Sequence, residues 1–162
     1  MQLTNSLNDP PALRLAKELA VILRGLNWGI GGSLLLHRLG IEPSPKDLDV
    51  VVTPNHWDEL TFRLKNKLGQ PFRPHSDEFA SSHFHRYENS GLSSLDVMAG
   101  IRVRDANGCM VSWEFVPTHI TCDADLRWML AKDWLEIYRL FGRHERVRQL
   151  ESYFADPKSY HN

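Results

Sequence analysis

Residues 28–52 constrain the fold more than any other part of this sequence. The stretch reads WGIGGSLLLHRLGIEPSPKDLDVVV. Its apolar start predicts a short strand that ends at Gly31 and Gly32, and SLLLHRLG predicts a helix from Ser33 that stops at Gly40. The β-branched run in DLDVVV predicts a second strand. The order of strand, tight turn, helix and strand indicates an α/β (α+β) domain.

Two carboxylates lie close together at the start of the second of these strands. Side chains alternate between faces along a strand, so Asp47 and Asp49 share one face while Leu48 and Val50 point to the other. Like charges at this separation repel one another, and burial adds a desolvation cost. A hard divalent cation relieves both effects, and Mg²⁺ is commonly held by one or two carboxylates together with substrate phosphates. The pair is therefore a candidate metal site.

The Gly-Gly-Ser turn before the helix supplies groups that suit a phosphate. Gly31 and Gly32 allow a backbone to approach an anion closely, because they carry no Cβ. A helix that begins at Ser33 directs backbone N–H groups and the positive end of its dipole towards such an anion. The sequence thus predicts adjoining metal and phosphate sites.

Helix and strand patterns continue on both sides of this region. Helical spacing of apolar residues predicts a helix in 8–26, another capped by Thr53-Pro54 that ends near Gly69, one from Asp123 onward, and a charged one after Gly142 to about Leu150. Three further strands are expected at HFHRYE, SLDVMAGIRVR and CMVSWEFV, the last two joined by an Asn-Gly turn in DANG.

These motifs resemble those of a known superfamily. IGGSLLLHRLG, then KDLDVVV and then SLDVMAG are similar to the Gly-Gly/Ser, Asp-x-Asp and third-acid pattern of nucleotidyltransferases of the DNA polymerase beta type. The resemblance covers roughly residues 28–100. It implies a mixed β-sheet flanked by helices, followed by a C-terminal helical segment. The length points to the small branch that contains the minimal, antibiotic and abortive-infection toxin nucleotidyltransferases.

The resemblance also implies an activity and roles for individual residues. A nucleoside monophosphate, by default AMP from ATP, would pass to an acceptor hydroxyl with release of pyrophosphate. The acceptor stays open between a small molecule, a protein side chain and an RNA end. Two Mg²⁺ ions are implied, with Asp47, Asp49 and Asp96 as metal ligands and catalytic groups, Asp96 being either ligand or base. Gly31, Gly32 and Ser33 would lie around the triphosphate, and so would Lys132 by analogy with a late-helix lysine of small family members, with an exposed surface lysine as the competing interpretation. Lys46, beside the aspartates, is either a further phosphate-binding group or a solvated loop lysine.

A second class of function remains open on the sequence. The same fold can persist in a catalytically silent protein, such as a binding module or a toxin–antitoxin partner. The retention of all three acids favours an enzyme, because a cluster of carboxylates is costly without a metal to bind.

Length, charge and composition limit the remaining classes. At 162 residues the chain is expected to be one domain, 1–162, with a catalytic core at about 26–117 and C-terminal helices at about 123–154. The net charge of −1 predicts no extended nucleic-acid surface. No apolar run reaches the length of a membrane span, and two isolated cysteines suit a reducing compartment, so a cytoplasmic protein without a membrane partner is expected.

The histidines suggest a rival metal site. His83 and His85 lie two residues apart on a predicted strand and so share one face, with His75 nearby, and paired imidazoles on one face can bind zinc. No third ligand is evident in the sequence, so exposed strand histidines are the competing interpretation. The aromatic residues Trp128, Trp134 and Tyr138 are expected to pack a late helix against the core.

Overall fold

The computed structural model describes residues 7–73 and 81–158. Within those ranges the chain forms five α-helices and eight strands. Every one of these helices is too short or too polar to cross a membrane. The elements in order are α1 (Pro11–Ile22), β1 (Trp28–Gly31), α2 (Gly32–Arg38), β2 (Leu48–Val52), a 3₁₀ turn (Pro54–His56), α3 (Trp57–Leu68), β3 (His83–Tyr87), β4 (Leu95–Ala99), β5 (Ile101–Arg104), β6 (Met110–Trp113), β7 (Ile120–Asp123), β8 (Leu126–Met129), α4 (Ala131–Leu140) and α5 (His144–Ala155).

Six of the strands form one mixed sheet in the order β3-β4-β2-β1-β8-β7. The pairs β2–β4 and β1–β8 are parallel, and the other three pairs are antiparallel. Strands β5 and β6 form a separate hairpin across the Asn-Gly turn. The expected α+β architecture, a mixed sheet flanked by helices with a C-terminal helical segment, is confirmed.

The core lies between this sheet and its helices. Helix α1 buries Leu15 and Leu19 completely, as its helical spacing predicts, and it packs on β2 and β8. Helix α3 places Trp57 against the histidine rings of β3. Helix α4 lies near β1, since a Cβ added to Gly31 would overlap the ring of Trp134.

The helix expected from Asp123 is wrong at its start. Asp123 ends β7, a hairpin leads into β8, and the first C-terminal helix begins only at Ala131. The spacing of Leu126 and Met129 fits a helix, but β8 instead pairs in parallel with β1, where Arg127 Nε donates to Trp28 O at 2.8 Å. Tertiary pairing therefore overrides local periodicity. Trp128 accordingly belongs to a strand rather than to a late helix.

Two smaller expectations also need correction. The predicted strand SLDVMAGIRVR is divided at Gly100, whose φ of +58° breaks it into β4 and β5. Thr53 does not cap the following helix with its side chain, and its hydroxyl is buried without a partner in the described residues. A 3₁₀ turn intervenes, and α3 begins at Trp57.

Candidate active site

The central feature of the site is a row of side chains that crosses the sheet. Gly31 on β1 is in register with Asp49 on β2, Asp49 with Asp96 on β4, and Asp96 with Arg86 on β3. Phe72 continues the row as an isolated bridge to Arg86. Directly opposed residues in neighbouring strands point to the same face. The row therefore places two carboxylates and a guanidinium side by side.

The Gly-Gly-Ser turn adjoins the first carboxylate of the row. Gly32 has a φ of +60°, and a Cβ added there would overlap the carboxylate of Asp49. Ser33 Oγ donates to the backbone carbonyl of Asp47 at 3.3 Å, which ties the turn to the start of β2. Glycine at position 32 is thus required both by the backbone conformation and by the carboxylate. The turn and the acid pair form one local unit.

The surroundings of Asp49 destabilise the charged form of its carboxylate. Burial and the neighbouring charges of Asp96 and Asp47 raise the pKa of Asp49 to about 7, although Arg86 and Arg143 oppose the shift. Asp47 itself is exposed at the entrance to the strand. A cation between the two carboxylates would relieve the repulsion that raises this pKa.

Asp96 has a different environment because Arg86 holds both of its oxygens. Arg86 Nε lies 2.6 Å from Oδ1 and Nη2 lies 2.7 Å from Oδ2. The Asp96 side chain is only 10% exposed, whereas that of Arg86 is 34% exposed. The hydrogen bonds that Arg86 donates to Asp96 raise the pKa of the Arg86 guanidinium. The pair is bidentate, which fixes the orientation of the carboxylate.

A cleft of about 910 Å³ opens over this row. Its lining combines the three aspartates with cations and with an aromatic and sulfur-containing surface. The cations are Lys46, Arg73, Arg86, Arg143 and Arg146, and the apolar residues are Phe84, Met98, Trp134, Tyr138 and Phe141. Clefts of this size and mixed character are typical of sites for small charged molecules.

The oxygen donors of Asp47 and Asp49 suit a magnesium ion. Among the described residues no three His, Cys, Asp or Glu side chains are arranged to bind one metal ion. Asp47 and Asp49 supply hard oxygen donors, and two carboxylates with substrate phosphates are a usual Mg²⁺ environment. Asp96 could join as a third ligand only by sharing its oxygens with Arg86, which engages both of them.

The cleft gathers most of the residues singled out from the sequence. Ser33, Lys46, Asp47, Asp49 and Asp96 all line it. The glycines of the turn, Gly31 and Gly32, are buried in the adjoining backbone.

Lys132 is placed elsewhere. It is exposed on α4 and is not part of the cleft lining, whereas Arg143, just before α5, is. Sequence reasoning missed Arg143 and Arg86. Alternation along β3 could have identified Arg86, because it places Arg86 and the two histidines on opposite faces of the strand, and the face of Arg86 is the one that carries Asp96.

The histidines of the rival zinc site pack against a tryptophan. The ring centroids of His83 and His85 lie 4.8 and 4.9 Å from that of Trp57. Both are half-buried rather than exposed, and burial lowers the pKa of His85. His75 lies outside the described residues. The arrangement supports a packing role for this pair.

Comparison with known proteins bears on the fold. No protein-family model and no curated protein matches the chain. Among solved structures, a candidate nucleotidyltransferase from Thermotoga maritima is similar, with a TM-score of 0.64 and 18% identity over 88% of this chain and 92% of that one. At this identity the likeness establishes the fold, and it agrees with the nucleotidyltransferase fold expected from the motifs.

Proposed function

We propose that this protein is a Mg²⁺-dependent nucleotidyltransferase of the small branch, which transfers a nucleoside monophosphate from a nucleoside triphosphate, by default ATP, to an acceptor hydroxyl. One observation carries the proposal. The carboxylate of Asp49 lies against the positive-φ glycine of a Gly-Gly-Ser turn and in register with Asp96, at the base of a cleft that also contains cations. Acids beside a phosphate-binding turn suit metal-assisted phosphoryl chemistry.

The donor end of the cleft would be formed by the turn and the acid pair. Asp47 and Asp49 would hold Mg²⁺, which when bound offsets the charge that develops on the phosphate oxygens. Ser33 of α2 lines the same cleft, in which Lys46 and Arg143 supply positive charge for a triphosphate. Arg143 takes the role that the resemblance assigned to Lys132.

Asp96 would act on the acceptor. Its carboxylate adjoins that of Asp49 across the parallel pair β2–β4 and is held in one orientation by Arg86. Each carboxylate oxygen has a second lone pair, so Asp96 can still accept a hydrogen bond from a hydroxyl while Arg86 remains bound. The acceptor oxygen bonds to the α-phosphorus, the bond to the bridging oxygen breaks, pyrophosphate leaves, and the hydroxyl proton passes to Asp96.

The alternative function is a catalytically silent protein that uses the same fold for binding, for example within a toxin–antitoxin pair. The stress on Asp49 favours the enzyme, because a protein without a metal ligand role gains nothing from a carboxylate with a pKa near 7. A measurement of nucleotide transfer distinguishes the enzyme from the silent protein, because only the enzyme transfers a nucleotide.

The test is a labelling experiment with the intact chain. Each of four α-labelled nucleoside triphosphates is incubated with Mg²⁺ and cell extract, with wild type, Asp49→Asn and the control Asp58→Asn, an exposed acid on α3. We expect one extract component to become labelled by wild type and by the control, and not by Asp49→Asn or in the presence of a chelator. Absence of any Mg²⁺-dependent label with all four nucleotides would favour the silent alternative.

A further inference from the structure

The cleft extends beyond Asp49 towards β4 and β3, and the residues that line this part differ in character from those around the turn. In phosphoryl transfer the attacking and leaving oxygens lie roughly in line. If the triphosphate occupies the turn on the β1 side of Asp49, the acceptor enters from the side of Asp96 and Arg86. This assignment rests on the proposed function. We call this region, formed by Arg73, Ser81, Phe84, Arg86 and Met98, the acceptor end.

The floor of the acceptor end is apolar. Phe84 and Met98 are direct cross-strand partners on β3 and β4, two residues away from the Arg86–Asp96 pair. Alternation along both strands therefore places all four side chains on the cleft face. An aromatic ring beside a thioether provides a surface for the carbon skeleton or planar ring of a bound molecule.

The charge of the acceptor end is positive. Arg73 Nη2 donates to Ser81 O at 2.9 Å, and within the described residues Arg73 forms no ion pair. Arg86 uses Nε and Nη2 on Asp96, which leaves Nη1 to donate elsewhere. Of the five residues that form the acceptor end, two are arginines and none is acidic, and Asp96 is the neighbouring carboxylate that engages Arg86. Asp47 and Glu88 act on Arg86 through their charge without a hydrogen bond to it.

We propose that the acceptor is a hydroxyl compound that carries a phosphate group, held by Arg73 and the free edge of Arg86. Guanidinium groups match phosphate oxygens in geometry and charge. The same two cations would repel a polycationic acceptor such as an amino sugar. The apolar part of the acceptor lies on Phe84 and Met98, and its hydroxyl faces Asp96.

The size of the cleft limits how much of the acceptor can be bound. Its volume of about 910 Å³ lies near the upper end of the ~300–1,000 Å³ that small-molecule sites occupy, so it suits a donor nucleotide and one further small group. A free mononucleotide, a sugar phosphate and the last nucleotide of an RNA strand share the required chemistry, a phosphate close to a hydroxyl.

Inorganic phosphate tests the anion site without knowledge of the acceptor. Phosphate is titrated calorimetrically into protein saturated with Mg²⁺ and a non-hydrolysable ATP analogue. The variant is Arg73→Gln and the matched control is Arg104→Gln, an exposed arginine that likewise donates to a backbone carbonyl, that of Gly108. We expect wild type and the control to bind one phosphate and Arg73→Gln to bind it about tenfold more weakly. Equal affinity for all three proteins, or no phosphate binding by wild type, would overturn the inference.

A second set of titrations identifies the source of the phosphate. Three pairs of ligands are compared under the same conditions, each with and without a phosphate. The pairs are AMP and adenosine, ribose 5-phosphate and ribose, and a short RNA with and without a 5′-phosphate. We expect the phosphorylated member of a pair to bind more tightly, with the advantage lost in Arg73→Gln, and the tightest pair names the source. Tighter binding of the unphosphorylated members, or of a polyamino sugar, would contradict the proposal. The ATP analogue is titrated in the same samples, so failure of the donor site is recorded separately from failure of the acceptor end.

Discussion

Asp49 is the residue at which the sequence motif and the fold converge. It belongs to the Asp-x-Asp pair in the sequence, contacts Gly32 of the turn, and is in register with Asp96 on the neighbouring strand. Burial and the charges of Asp96 and Asp47, which Arg86 and Arg143 only partly oppose, raise its pKa to about 7. Such a carboxylate is costly in the metal-free protein and useful when a cation is bound.

The first prediction concerns the pH dependence of this cost. The pKa of Asp49 is about 7 in the folded protein and 3.8 in an ordinary aspartate. The folded protein therefore holds this proton more tightly than the unfolded chain, and its free energy of unfolding falls as the pH rises from about 4 through 7. In a chelator, Asp49→Asn is therefore expected to gain about 1–3 kcal/mol in unfolding free energy over wild type between pH 5 and pH 8. Denaturant titrations at the two pH values measure this gain. A stability difference between the two proteins that does not change with pH would show that the pKa of Asp49 is not raised.

The second prediction concerns the role of Asp96. Asp96→Asn keeps an acceptor oxygen for Arg86 but removes the group that takes the hydroxyl proton. The rate of transfer is expected to fall on the order of 10²–10⁴-fold, while the affinity for Mg²⁺ and nucleotide changes far less. Single-turnover rates and nucleotide titrations on the same protein separate the two effects. A loss of nucleotide affinity as large as the loss of rate would instead make Asp96 a metal ligand.

At the scale of elements, the turn between β1 and α2 carries the third prediction. Gly32→Val is expected to abolish triphosphate binding, because its side chain would occupy the space of the Asp49 carboxylate. Gly69→Val is the matched control, since Gly69 also has a positive φ of +76° but has no atom within 4 Å of an added Cβ. Because φ is positive at both positions, a valine strains the backbone in both variants, by on the order of 1–3 kcal/mol. Equal nucleotide affinity in the two folded variants would show that the turn does not bind the triphosphate.

The packing of β3 on α3 gives the fourth prediction. Because the rings of His83 and His85 pack against Trp57, changing both to Gln is expected to cost about 1–2 kcal/mol of stability, more than at exposed histidines. Zinc content measured on the purified protein should not depend on the substitution. Stoichiometric zinc that is present in wild type and absent from the double variant would restore the metal-site interpretation.

Elements with short-range signals could be predicted, and elements defined by distant partners could not. The strand β2 and the turn at Gly31 and Gly32 follow from β-branched residues and glycines that act locally. The strand β8 depends on β1, a hundred residues earlier in the chain, and its apolar residues also satisfy a helical spacing. Nothing local distinguishes the two, so the hairpin β7–β8 was missed.

At the scale of the whole molecule, the acids of the site and Lys46 were predictable from the sequence, and its arginines were not. Asp47, Asp49 and Asp96 belong to sequence motifs, and the fold brings all three to one cleft. Arg86 and Arg143 have no motif, and their roles arise only from the pairing of β3 with β4 and from the position of the loop before α5. Lys132, chosen by analogy with a late helix, lies exposed on α4 because that helix directs Trp134 and Tyr138 into the cleft instead.

The central claim is that the cleft binds a nucleoside triphosphate through a magnesium ion held by Asp47 and Asp49. The most direct measurement is a calorimetric titration of a non-hydrolysable ATP analogue into the whole protein, with and without Mg²⁺, for wild type, Asp49→Asn and Asp58→Asn. The account predicts one analogue bound per chain only when Mg²⁺ is present, with binding retained in Asp58→Asn and reduced at least tenfold in Asp49→Asn. Wild-type protein that binds no analogue, or binds it equally well in a chelator and in Asp49→Asn, would contradict the account.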